Sequence, residues 1–286
     1  MLYQTTHLTR YKYQEPASHC LSETRVTPRS FPGQQVLSAR IDVTPPPASE
    51  IEMREDYFGN HVGAFSIFEP HRELCIKAVS TVEVLPHAAR SSTLGWENAR
   101  ALMISSNVHE DLRASEFVYD SPFAASSPEL ADYAATSLPH GRPLADATID
   151  LCRRINSEFV YEPKSTSIDT PVLEVLRKRK GVCQDFAHLM IGALRSSGLA
   201  ARYISGYLRS GGANLQGSEA SHAWVSVYIP GSGWLDLDPT NDVIPGEGHV
   251  TLGWGRDYGD VTPVKGVSLG GGSQVVDVEV TVRQIG

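Results

Sequence analysis

Cysteine is scarce in this 286-residue chain. There are four, Cys20, Cys75, Cys152 and Cys183, and no two stand at CxxC or CxxxxC spacing, which argues against a zinc site built on clustered thiolates. The ten histidines are scattered, so neither a metal nor another cofactor is expected. No run of eighteen apolar residues occurs, and the opening Met1 to Arg10 contains no apolar leader core. No membrane partner is therefore read here, and the expected compartment is the cytoplasm. A disulfide between Cys20 and Cys75 is not expected in a reducing cytosol. Positive charge is also short: 25 Lys and Arg against 33 Asp and Glu give a net charge of −8, which disfavours nucleic acid as a default partner. No glycine pattern precedes a helix as a phosphate cradle. Repeats and low-complexity tracts are absent. The remainder, 41% hydrophobic and 20% charged, is ordinary soluble composition, with length for one large or two modest cores.

What is present is concentrated in the last third. Arg179 to His188 reads Arg-Lys-Gly-Val-Cys-Gln-Asp-Phe-Ala-His. Phe186, Leu189, Met190, Ala193 and Leu194 recur at helical spacing, and Ser196-Ser197-Gly198 supplies a stop. Cys183 thus falls in the first turn of a buried helix, facing the same way as Phe186 and Met190. Unpaired N–H groups and the positive end of the helix dipole there favour a thiolate, and can also receive an oxyanion. Gly181 lets the backbone turn and leaves room for a substrate carbonyl. A cysteine on an apolar helical face is usually a small hydrophobe; the helix start and two partners downstream point the other way.

Those partners are His222 and an aspartate. From Ala220 to Ile229, Ala223, Val225, Val227 and Ile229 alternate with His222, Trp224, Ser226 and Tyr228, which predicts a strand. Pro230 to Gly233 predicts a turn, and Trp234 to Asp238 the returning strand, ended by Pro239. Side chains alternate faces, so register decides whether Asp238 can meet His222. If Ile229 pairs with Trp234, Asp238 faces away. If Tyr228 pairs with Trp234 across an odd loop, Asp238 reaches His222 diagonally, within about 7 to 8 Å between backbone positions. The odd loop, or a bulge, is the expectation. Asp236 shares that face, and the strand pattern leaves both aspartates open.

The runs Gly-Val-Cys-Gln-Asp-Phe-Ala-His-Leu, Ser-Gly-Leu-Ala-Ala-Arg-Tyr-Ile-Ser-Gly-Tyr, Ser-His-Ala-Trp-Val and Leu-Asp-Pro-Thr-Asn resemble the core of the bacterial transglutaminase-like cysteine peptidases. The resemblance spans roughly residues 145 to 270. It implies a papain-like order of Cys183 as nucleophile, His222 as base and Asp238 as orienter, the aspartate at the head of Asp-Pro-Thr being the family's choice over Asp236. It also implies an α+β fold: an all-β N-terminal domain over 1–86, a linker and helical segment over 87–143, and a core over 144–286 carrying Cys on a helix and His and Asp on an antiparallel sheet, with a C-terminal strand.

Local patterns fill in that outline. Tyr3–Tyr13, Val36–Val43, His61–Phe68 and Leu74–Leu85 read as strands, Asp56 to His61 as a tight connection, and Pro86 to Asn98 as a linker. Leu144, Ala147, Leu151, Cys152 and Ile155 form one apolar helical stripe. Thr170-Pro171 reads as a helix start, with Thr170 capping and Pro171 first; Glu174 and Lys178 read as a solvated pair. His188 falls off the strict Cys183 face and is assigned a supporting role. Val276, Val278, Val280 and Val282 alternate as a closing strand. Trp224, and Arg256, Asp257 and Tyr258 in the Gly-aromatic-acidic loop, are candidates for contacting substrate, with bracing of the core as the equal reading for the loop. The expected activity is hydrolysis of a peptide or isopeptide bond through a thioester on Cys183, with a peptide or protein as substrate. Transfer to an amine acceptor, as in transglutaminases, and a non-catalytic protein-interaction module are the alternatives.

Overall fold

In the computed structural model, residues 1–86, 92–210, 215–217 and 221–286 are described. Residues 87–91 of the expected linker, and Ala220 at the head of the expected His222 strand, lie outside them. Strands β1 (Leu2–Thr24), β2 (Gln34–Thr44), β3 (Glu52–Glu55), β4 (His61–Ile67) and β5 (His71–Val84) come first, followed by helices α1 (Trp96–Ser105), α2 (His109–Ser115), α3 (Pro128–Ala135) and α4 (Leu144–Glu158). The short parallel pair β6 (Val160–Tyr161) and β7 (Lys180–Gly181) brackets α5 (Val172–Lys178), and α6 (Cys183–Ser196) follows. Strands β8 (Ala201–Leu208), β9 (His222–Ile229), β10 (Gly233–Leu237), β11 (His249–Gly255), β12 (Val264–Gly270) and β13 (Gln274–Gln284) complete the chain.

The four N-terminal strand readings find their elements, but β1 runs eleven residues beyond Tyr13, because Pro16 makes an interruption rather than an end. Pro16 has no N–H to donate and is tolerated only where the ladder breaks. The register on β1 shifts between Lys12 and Ala17 against β5, and again between Ala17 and His19 against β12. Opposite the interruption stand Gly270, Gly271 and Gly272, all at positive φ, and Gly271 N–H donates to the Pro16 carbonyl. Past it, β1 is flanked by β4 on one side and β12 on the other; before it, by β5 and β13.

That pairing corrects the placement of the closing strand. The valine alternation from Val276 to Val282 is a strand, but it joins the N-terminal seven-stranded sheet beside β1, not the sheet that carries His222. Val280 and Val282 turn their side chains into an apolar layer with Tyr3, Val82 and Val84 from that sheet and Tyr207, Val250 and Leu252 from the other. A closing strand on the core sheet would have left this layer uncovered.

The second sheet is antiparallel in the order β10-β9-β8-β11. One face is packed by α6: Phe186, Ala187, Met190 and Leu194 share a core with Ala223, Val225, Val227 and Ile229. The other meets the N-terminal sheet. Strand β11 lies at the edge, and two side-chain amides stand in for a missing neighbour. Gln34 exchanges two 2.8 Å hydrogen bonds with the backbone of Thr251, and Asn60 does the same with Trp254 at 2.8 and 2.9 Å. A buried edge without such partners would strand its N–H and C=O groups. Asn60 reaches there because Asp56 accepts from the N–H groups of Phe58 and Asn60, closing the tight connection expected at Asp56 to His61, with Gly59 at φ +73°.

Two local readings need adjustment. Thr170 does not cap α5; its hydroxyl accepts from Ser167 N–H, and Pro171 occupies the cap position. Glu174 and Lys178 do pair on the exposed face.

Candidate active site

Helix α6 begins at Cys183, with Val182 as the cap residue in extended conformation. A valine side chain cannot cap, so the helix start is held from within: the Asp185 carboxylate accepts from Val182 N–H at 2.8 Å and from the Thr166 hydroxyl at 2.6 Å. Burial raises the Asp185 pKa against these two hydrogen bonds. Gly181 serves the same carboxylate, since a Cβ there would lie 2.7 Å from Asp185 Oδ2. Cys183 is 9% exposed and stands in the first turn, where N–H groups lack partners four residues earlier.

His222 opens β9. Tyr228 pairs with Trp234 and Ile229 with Gly233, leaving the odd three-residue loop Pro230–Ser232. This is the register that brings Asp238 to His222. His222 Nε2 lies 2.8 Å from Asp238 Oδ2, both side chains fully buried. His222 Nδ1 is buried without a hydrogen-bond partner. Burial works against protonation of this ring, but the Asp238 charge and hydrogen bond, together with Cys183, outweigh it and push the pKa up to about 10. For Asp238, burial is outweighed by His222 and His249, and the carboxyl is held well below the usual range.

Asp238 is more heavily engaged than the sequence indicates. Its Oδ1 accepts from the N–H groups of Thr240 and Asn241, and its Oδ2 from Asn241 Nδ2 at 2.8 Å and His249 Nε2 at 3.4 Å as well as from His222. Asn241 follows at the end of the Asp-Pro-Thr-Asn run, and an aspartate bonding to backbone two and three residues on is a local turn habit that could have flagged it. His249 arrives from β11 and carries no sequence signal. His222, Asp238 and His249 form the one trio of metal-ligand types found close together among the described residues. Both imidazoles direct Nε2 at the same Asp238 oxygen, at 2.8 and 3.4 Å, as two N–H donors would on a carboxylate. Asp236, the rival aspartate, instead faces Trp224 Nε1 at 3.5 Å.

The substrate candidates divide. Trp224 is 0% exposed and lies alongside His222, ring centroids 6.2 Å apart and 30° between planes; it supports the histidine and also forms part of the wall of a cavity of about 970 Å³. Asp257, 2% exposed, accepts from Phe123 and Gly259 N–H groups, and Arg256 forms a two-pronged pair with Asp260 at 2.9 and 3.0 Å. The Arg256 carbonyl also accepts from Arg195. These two brace the loop. Tyr258 is half-buried and lines a cleft of about 470 Å³ that also includes Ser221, Ile168, Val276 and Val278. His188 takes its supporting role by accepting from Tyr258 N–H at 3.2 Å and stacking on Phe123, and burial lowers its pKa to about 4.

Gly217, at φ +89°, lies against the Nδ1 edge of the His222 ring, and a Cβ there would come 2.6 Å from Nδ1. The neighbouring Gln216 is pinned to Asn241 by hydrogen bonds of 2.9 and 3.3 Å. Gly217→Ala should therefore displace either the segment or the imidazole. The expected result is a fall in the rate of Cys183 alkylation, on the order of tenfold or more, with the denaturation midpoint nearly unchanged. An alkylation rate equal to wild type would show that the segment yields freely.

Residues 130–239, which include Cys183, His222 and Asp238, match the transglutaminase-like superfamily, and residues 3–83 match the bacterial transglutaminase-like N-terminal region. An uncharacterized protein of Mycobacterium tuberculosis is 39% identical over 298 aligned positions, covering 98% of this chain and 92% of the relative. The chain belongs to the transglutaminase-like superfamily. Within this superfamily, a protein-glutamine gamma-glutamyltransferase of Pseudomonas aeruginosa is 33% identical over 130 positions, 37% of this chain and 19% of that protein. The same transglutaminase-like architecture appears in the crystal structure of a candidate cysteine protease from Cytophaga hutchinsonii, with a TM-score of 0.78 at 21% identity, covering 99% of this chain and 90% of that one. Among the described residues, no helix is long and apolar enough to cross a membrane.

Proposed function

We propose that the protein is a cysteine-dependent acyl-transfer enzyme that cleaves peptide or isopeptide amides, with Cys183, His222 and Asp238 as its triad. The observation that carries this reading is the buried His222–Asp238 pair, which engages Nε2 and leaves Nδ1 unpartnered beside the cysteine at a helix start. Asp238 holds a hydrogen on Nε2, so Nδ1 is the atom that takes the Cys183 proton, and the His222 pKa of about 10 favours the imidazolium so formed. The resulting thiolate attacks the amide carbonyl, and the oxyanion is received at the Cys183 N–H in the first turn of α6. The imidazolium then returns its proton to the departing amine, leaving a thioester on Cys183. Water, activated by His222, cleaves the thioester to a carboxylic acid and restores the thiol. The gamma-glutamyltransferase relative favours a second outcome, in which a primary amine takes the place of water and a new amide forms.

Incubating wild type and Cys183→Ala with an unbiased peptide pool, with and without added amine, tests both. Intact mass should show an acyl adduct on wild type only. New free carboxylates identify the hydrolase, and amine-linked products identify the transferase. Identical pools with no adduct, together with Cys183 no faster than free cysteine toward iodoacetamide near pH 6, would leave a non-catalytic interaction module.

The titration shifts carry their own prediction. His222 is raised from 6.5 to about 10 in the folded state, so its stabilisation is fully present below about pH 6.5 and is lost as pH rises toward 10. Asp238 is lowered from its ordinary value of 3.8, so its contribution is present above about pH 4 and disappears on acidification. Urea denaturation across pH should show wild type gaining stability over His222→Gln between about pH 4 and 6.5, and the gap narrowing toward pH 10. A gap that widened in alkali would contradict the sign.

A further inference from the structure

A larger cavity, of about 970 Å³, lies between the His222 sheet and the N-terminal strands, and Cys183 does not line it. On its wall Arg202 projects from β8, in one cross-strand row with Ser226 and Asp236. Its guanidinium packs against both Trp234 and Trp254, 4.0 Å from each ring centroid, and Arg29 rests on Trp254 as well, at 3.4 Å. Among the described residues Arg202 makes no hydrogen bond and no ion pair, and its Nε is buried without a partner, as is that of Arg29. Burial lowers both pKa values, with Asp236 opposing the shift at Arg202, to about 9 for Arg202 and about 10 for Arg29. Both therefore stay charged at neutral pH. The acidic groups on the cavity do not answer this charge directly: Asp236 faces Trp224, and Glu110 and Glu116 lie on the segment that begins with α2.

A half-buried cation whose Nε has no hydrogen-bond partner is costly, and a guanidinium stacked between indoles keeps only its in-plane N–H edge for recognition. That edge fits a carboxylate in two-pronged fashion. The surrounding walls include Phe31, Phe58 and Phe117, and the volume suits a drug-sized molecule. We propose that this cavity binds an organic carboxylate, its acid group on Arg202 and its apolar body along the aromatic wall. Cys183 is not part of this site, although Trp224 and His249 on its wall also touch the His222–Asp238 pair.

Isothermal titration calorimetry with biphenyl-4-carboxylate and its neutral counterpart, biphenyl-4-carboxamide, tests this. The acid should bind, and the amide should bind more weakly by on the order of tenfold or more. Arg202→Met should erase the preference. Ile244→Trp, at a lining position that is 42% exposed, should block the acid by filling the cavity with Arg202 intact, and it decides the matter if Arg202→Met does not fold. Cys183→Ala should bind the acid as wild type does, which separates this outcome from any result on catalysis. Equal affinities for acid and amide, undiminished binding in Ile244→Trp, or no binding of the acid at about 1 mM would each overturn the proposal.

Discussion

If Cys183 is the nucleophile as proposed, Cys183→Ala is expected to abolish acyl transfer, lowering turnover by on the order of 10⁴-fold or more. The change removes one sulfur from the first turn of α6 and leaves the Asp185 bonds that hold the helix start in place. Thermal unfolding should therefore shift by no more than about 4 °C. In the proposed mechanism wild type should also be alkylated by iodoacetamide near pH 6 faster than free cysteine, by on the order of tenfold, since His222, with its pKa raised to about 10, stands beside the sulfur as a cation there. Retained turnover of the alanine variant at a tenth of wild type would remove Cys183 from the mechanism. Retained fold with lost turnover is the combination that assigns it chemistry rather than packing.

Asp238 should show a different pair of effects. Asp238→Ala leaves His222, His249, the Asn241 amide and the Thr240 N–H facing a buried gap, and should destabilise the protein by about 3 to 5 kcal/mol in chemical denaturation. Asp238→Asn is nearly isosteric, and there the chemistry is separable from the fold. If the new amide nitrogen faces His222, the ring must turn its lone pair to Nε2 and carry its hydrogen on Nδ1. Nδ1 could then no longer accept the Cys183 proton, and the rate should fall by about 10⁴ while most of the fold is kept. A loss of less than about tenfold in Asp238→Asn would mean that His222 keeps its tautomer without the carboxylate, which would return Asp236 to consideration.

The reach of the sequence can be judged from particular residues. Cys183 at a helix start was legible because apolar spacing and a Ser-Ser-Gly stop define α6 at both ends. The odd loop before Trp234 was legible because one pairing alone puts His222 and Asp238 on a shared face. Choosing Asp238 over Asp236 required the family resemblance, since period-two alternation treats them alike. His249 could not have been found this way: it comes from a strand whose pairing with β8 depends on Gln34 and Asn60, which lie about 200 residues earlier in the chain. The burial of Trp224 is not legible in the sequence for a related reason. Alternation shows which face a side chain takes, but not that the N-terminal sheet covers that face. Arg256 and Asp257 drew attention as charged residues in a glycine-rich loop, and their partners Asp260, Phe123 and Gly259 show what a charged loop does when it closes over a core.

The partnership of β1 with β13 bears on the order in which the molecule can form. Tyr3 pairs with Gln284 and Thr9 with Val278, so β1 waits for a strand that is synthesised long after it. The β3–β4 hairpin, the β2–β5 pair and the helix-on-sheet unit around α6 consist of nearer contacts and can assemble during synthesis. Until β13 arrives, β1 presents one flank of open hydrogen-bonding groups, and Tyr207, Val250 and Leu252 lack part of their cover. The nascent protein would thus carry a formed Cys183 helix under an unfinished sheet, and its exposure to aggregation should peak in that interval, shortest where translation from α6 through β13 is fastest.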